Sequence, residues 1–116
     1  MHPYRHGFTA IVDRSRPLNV AGTIGVGWNT IAHVDLQAGT LDRHYVGEKT
    51  TCGEPCFIPR SPTAPEGDGF LLSMLIRGDT DSRSELIVLD AQHLADGPIA
   101  TVRLPFRLRA AVHGCW

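Results

Sequence analysis

Apolar positions along this chain come in short runs separated by glycine, proline and aspartate. None keeps a helical period for the ten or more residues that an amphipathic helix needs, so successive strands are expected. Residues 8–12 (FTAIV) predict the first strand. Residues 14–27 then bring Pro17, Gly22, Gly25 and Gly27 with little to bury, which predicts a loop. Residues 29–35 alternate apolar and polar positions, and 36–39 (LQAG) followed by 40–46 predicts a hairpin with Gly39 at a positive φ. Residues 55–59 (PCFIP) predict a short strand with proline only at its ends, where a missing amide hydrogen harms the ladder least. Residues 61–68 read as a polar loop.

The most apolar runs, 70–77 (FLLSMLIR) and 85–90 (ELIVLD), predict strands joined by a tight turn over 78–83 and buried on both faces. Residues 91–94 suit one helical turn, and 99–104 (IATVRL) a last strand. The chain therefore reads as all-β: a sandwich, a barrel or propeller blades. Two strand pairs alone bury little, whereas a blade relies on its neighbours for cover.

With 116 residues, 42% hydrophobic and 20% charged, the chain fits one small globular unit. Eleven basic against twelve acidic residues leave a net charge of −1. No whole-chain field then exists to draw in nucleic acid or an anionic membrane. Arg103, Arg107 and Arg109 lack interleaved aromatics apart from Phe106 and read as a solvated strand edge. Gly22, Gly25 and Gly27 do not form a GxGxxG loop. No apolar run nears the roughly 20 residues of a spanning helix, and MHPYRHGFTA lacks the apolar stretch of a secretory signal. Three cysteines, Cys52, Cys56 and Cys115, are too few and odd in number for a disulfide framework. A reducing, cytoplasmic setting is expected; peripheral membrane contact stays open.

Histidines stand at positions 2, 6, 33, 44, 93 and 113, with no HExxH pair among them. His2, His6, His33, His44 and His93 read as ordinary surface or hydrogen-bonded groups. His113 differs, because Gly114 permits close backbone approach and Trp116 supplies an apolar wall. From these features it is either a metal ligand or a buried histidine bonded to a carbonyl or carboxylate. Cys52, Cys56, His113 and Cys115 together would also suit a small zinc module.

The order GEPCFIPR, polar loop, DGFLLSMLI, turn, SELIVLDAQHL, IATVRLP and VHGCW resembles the carboxy-terminal end of the carotenoid oxygenases, the family of carotenoid and lignostilbene cleavage dioxygenases. Residues 53–116 match well; YRHGFTAIVD and NTIAHVDLQAGT also resemble the family, and 14–27 matches least. The resemblance implies a seven-bladed β-propeller with iron(II) on its axis, held by four histidines from different blades and open to dioxygen. It implies oxidative cleavage of a carbon–carbon double bond in carotenoids, apocarotenoids or stilbenes. His113 matches the last iron ligand. Glu54, in the GEP motif, matches a glutamate that orients an iron-bound imidazole, and we pair it with His113. Glu48, Glu66 and Glu85 match no such position and read as solvated.

The resemblance further implies that residues 1–116 are the carboxy-terminal part of a single propeller domain, roughly one to two blades and no complete domain. Three more iron ligands would lie upstream in amino-terminal blades that are missing here, so the isolated chain is expected to be inactive. The expected partners are those blades, dioxygen and an apolar polyene or stilbene, with no nucleic acid. Val112 and Cys115 stand where the family has an aromatic residue and an asparagine or similar residue, which bears on the shape of the substrate channel. The chain also ends at Trp116, slightly earlier than relatives generally do. The alternative, from a different class, is a non-catalytic β-module that buries blade edges against another chain.

Overall fold

A computed structural model describes residues 3–18, 27–78 and 83–109. His2, Gly22, Gly25, His113 and Cys115 lie outside the described residues, as do parts of the 14–27 loop and of the 78–83 turn. The strands are β1 (His6–Ile11), β2 (Thr30–Asp35), β3 (Thr40–Tyr45), β4 (Thr50–Cys52), β5 (Cys56–Pro59), β6 (Gly69–Arg77), β7 (Ser84–Asp90) and β8 (Pro98–Arg103). One 3-10 turn, Leu94–Asp96, precedes β8. All pairings are antiparallel. The all-β expectation is met.

The first sheet runs β1-β2-β3, and the second runs β4-β6-β7-β8 with β5 also paired to β6. The predicted β2–β3 hairpin forms in register, Asp35 opposite Thr40. Gly39 has φ 67 there, as the turn requires. Asp35 sets the turn: its Oδ1 accepts the N–H groups of Gln37 and Ala38, each at 3.0 Å. Both its oxygens also accept from the Arg5 guanidinium, at 3.0 and 2.8 Å.

Strands β6 and β7 alternate in burial over most of their length rather than being covered on both faces. Leu71, Leu75, Ile87 and Leu89 are fully enclosed, packing with Ala10 and Ile31 of the first sheet. Each such side chain contributes about 2 kcal/mol relative to exposure. On the other face Leu72, Met74, Leu86 and Val88 are only half-buried among the described residues. Farther out, β8 is exposed throughout, with Ile99 at 58% and Val102 at 50%.

Two features went unread in the sequence. Strand β4 falls in TTC, too short and too polar to announce itself; pairing with β6 creates it. Asn29 is fully buried, joining the ends of β1 and β3. It donates its own N–H to Ile11 and accepts the Val46 N–H on its carbonyl. Its side chain accepts the Asp13 N–H at 2.7 Å and donates to the Asp13 carbonyl at 3.0 Å. The single helical turn sits three residues later than 91–94, since Ala91 is used instead as a buried residue bonded to Gly69.

Candidate functional site

Strands β4 and β5 occupy successive stretches of one edge of the second sheet, the edge opposite β8. Cys52 pairs with Leu75, and Cys56 with Leu72. Three residues, Gly53, Glu54 and Pro55, therefore stand opposite two, Ser73 and Met74. One extra residue in an edge strand is a β-bulge, a device that bends the strand and re-aims a side chain. Glu54 is its central residue and is exposed.

The bulge is held from behind. Gly53 donates its N–H to the Met74 carbonyl at 2.8 Å, and the Ser73 hydroxyl donates to the Gly53 carbonyl at 2.9 Å. Just before the bulge the chain is tied to the first sheet, where the Cys52 N–H donates to the Trp28 carbonyl at 2.9 Å. His113, the other half of the expected pair, lies outside the described residues.

The same extra residue bears on the zinc reading. Residues four apart on a regular strand share a face, but the bulge reverses the parity. Cys52 faces the core beside Leu75, whereas Cys56 lies with half-buried Leu72 on the opposite face. Burial pushes the Cys52 thiol up to about 12, which keeps it neutral in the absence of metal. Among the described residues no cluster of three or more His, Cys, Asp or Glu side chains could hold a metal ion.

Glu85 departs from its solvated reading, and other side chains carry contacts that the sequence did not announce. Glu85 is 7% exposed and takes both Nε and Nη2 of Arg77 on one oxygen, at 3.0 and 2.8 Å; it is not solvated. Glu66 accepts the N–H groups of Arg5 and His6 at 2.9 and 3.0 Å, clamping the 61–68 loop onto β1. His6 Nδ1 and His33 Nε2 lie 2.9 Å apart and share one hydrogen bond. Phe8 stacks on His33 and on Phe57, carrying the contact across to the second sheet. Residues 27 apart meet here only because β1 and β2 pair, so no local spacing could announce the histidine pair. His93, by contrast, is exposed as expected, 3.4 Å from Asp90.

Burial, and then His6, holds the His33 imidazole below its ordinary value; burial, and then Arg77, does the same to His44. The unfolded chain therefore takes up these protons first. Their contribution to stability is complete above about pH 6.5 and falls as pH drops through that value. Asp13, Asp35, Glu66 and Asp90 are held below the usual carboxylate range, Asp35 chiefly by Arg5. A second loss therefore begins below about pH 4. Urea midpoints measured against pH should fall in these two stages. The upper stage should vanish from a variant combining His33→Gln with His44→Gln; its survival there would assign it to other groups.

Comparison with known proteins shows the family. A family model described as retinal pigment epithelial membrane protein matches residues 1–116. Isoeugenol monooxygenase from Pseudomonas nitroreducens is 46% identical over 113 residues, 97% of this chain and 23% of that protein. Lignostilbene-alpha,beta-dioxygenase isozyme III from Sphingomonas paucimobilis is 39% identical over 116 residues, 98% of this chain and 24% of that protein. The crystal structure of Pseudomonas brassicacearum lignostilbene dioxygenase superposes with a TM-score of 0.89 at 40% identity, over 98% of this chain and 24% of that one. The chain thus spans about a quarter of the length of the relatives it matches, and its two sheets are part of a larger β-propeller.

Proposed function

We propose, from the premise that this chain belongs to the retinal pigment epithelial membrane protein family of carotenoid oxygenases, that it is the carboxy-terminal part of a single propeller domain whose whole cleaves a carbon–carbon double bond with dioxygen. The observation that carries the reading is the match over 98% of the chain, in sequence and in fold, to a lignostilbene dioxygenase. One alkene and one dioxygen give two carbonyl products. The substrate class is an apolar alkene: a stilbene or other aryl alkene, as in the names of the relatives compared above, or a carotenoid or apocarotenoid. The three sparse cysteines, of which the two described, Cys52 and Cys56, are free thiols, suit a cytoplasmic setting.

Iron(II), when bound, activates the dioxygen. In our reading His113 is one of its four imidazole ligands, and Glu54 accepts a hydrogen bond from the distal nitrogen of that ring. Such a bond fixes the tautomer and raises the basicity of the ligand. The structural feature that fits this role is the bulge: a carboxylate on an anchored edge strand, accessible, on the sheet edge away from β8. The remaining three histidines belong to upstream blades, and one imidazole cannot hold iron(II) against water. The half-buried row Leu72, Met74, Leu86 and Val88 is apolar surface that further propeller would cover.

The test compares the chain alone with the polypeptide that carries it behind the upstream blades. Each is loaded with iron(II) and given a hydroxystilbene in air. Two aldehydes are expected from the longer protein and none from the chain alone. Aldehyde from the chain alone would show that it needs no further blades. Absence of aldehyde from the iron-loaded longer protein, with hydroxystilbene and with an apocarotenoid, would remove the assigned activity.

A further inference from the structure

We propose that Ser73 is a positioning residue for Glu54: its hydroxyl locks the bulge that presents the carboxylate. The inference rests on the reading of Glu54 as partner to an iron-bound imidazole, and it adds the residue that makes such a role possible.

Ser73 stands in the core-facing row of β6, between Leu71 and Leu75, and is 2% exposed. A hydroxyl placed among leucines is unfavourable unless it is hydrogen-bonded. Its acceptor is the Gly53 carbonyl at 2.9 Å. That carbonyl belongs to the bulge, where the extra residue has broken the ladder and removed the regular partner. The two residues opposite the bulge therefore grip the two polar groups of one glycine. Ser73 takes the carbonyl and Met74 takes the N–H, at 2.8 Å.

Glu54 follows that glycine directly and is itself followed by Pro55. Proline fixes its own φ and confines the residue before it to extended conformations. The backbone of Glu54 is thus held on one side by two hydrogen bonds and on the other by a ring. A carboxylate meant to meet an imidazole within hydrogen-bond distance needs this, since such a partner must be placed to within about 0.5 Å. Alanine at 73 would pack equally well but leave the Gly53 carbonyl without its donor, and the bulge free to relax toward other registers.

The experiment is a double-mutant cycle on iron(II) affinity, measured by competition with a colorimetric chelator in the polypeptide carrying this chain and the upstream blades. Glu54→Gln is expected to weaken iron binding about 10- to 100-fold. Ser73→Ala is expected to weaken it roughly 10-fold, and to add nothing when combined with Glu54→Gln, because it acts through that residue. If Glu54→Gln weakens binding but Ser73→Ala does not, or if the two effects add, the positioning role falls while the role of Glu54 stands. If Glu54→Gln leaves the affinity unchanged, both fall. Should Ser73→Ala not fold, Ser73→Gly, which also removes the hydroxyl, is measured in its place and read the same way.

Discussion

Arg77→Ala is expected to lower the free energy of unfolding by about 3 kcal/mol, because it leaves a buried carboxylate without its main partner. Arg77 ends β6 and sends its guanidinium in three directions. It takes Glu85 of β7 at 3.0 and 2.8 Å, the Val46 carbonyl at 3.0 Å and the Thr50 hydroxyl at 3.1 Å. It therefore joins the central strands of the second sheet to the segment leaving the first. After its loss Arg103 still lies near Glu85, at 3.7 Å and largely in solvent, too far and too screened to replace it. Adding Glu85→Gln to the variant removes the stranded charge and should restore more than half of the loss. Urea denaturation of the two variants tests this; a loss under 1 kcal/mol for Arg77→Ala would show that water or Arg103 satisfies Glu85 instead.

The strands of this chain were legible where hydrophobic alternation is strong. Residues 70–77 and 85–90 shift by one residue at one end when compared with β6 and β7, and Gly39 marked its hairpin by composition alone. What escaped was set by pairing across distance. Thr50, Thr51 and Cys52 become a strand because β6 lies beside them. Glu85 looks like a surface glutamate in SELIVLD until Arg77, eight residues earlier on the neighbouring strand, meets it. Burial on both faces was expected from continuous apolar sequence, yet only one face is enclosed. The other is half-buried among the described residues. At the candidate site the motif pointed to Glu54, but the bulge beneath it could not be read. A bulge is a mismatch between two strands, and no single strand contains it.

Gly69→Ala should be the most damaging of the glycine substitutions, at about 3 kcal/mol. The reason is space rather than backbone angle. A Cβ at this position would run into the Ile58 carbonyl oxygen, with the Phe57 ring 2.8 Å away. The oxygen belongs to the paired backbone of β5, opposite β6, so no side-chain rotation relieves the clash. Relief requires β5 to lift from β6. That withdraws Phe57 from its stack on Phe8, ring centroids 5.2 Å apart, which bridges the two sheets. Gly39→Ala is the control: that residue has φ 67 but open space around its Cβ position, so only a left-handed conformation is charged, about 1 kcal/mol. Chemical denaturation should rank Gly69→Ala well above Gly39→Ala, and equal losses would mean that β5 yields without leaving the sheet. Because β5 continues directly from the Glu54 bulge, the same variant should also weaken iron(II) binding in the longer polypeptide, whereas Gly39→Ala, in the other sheet, should leave it unchanged.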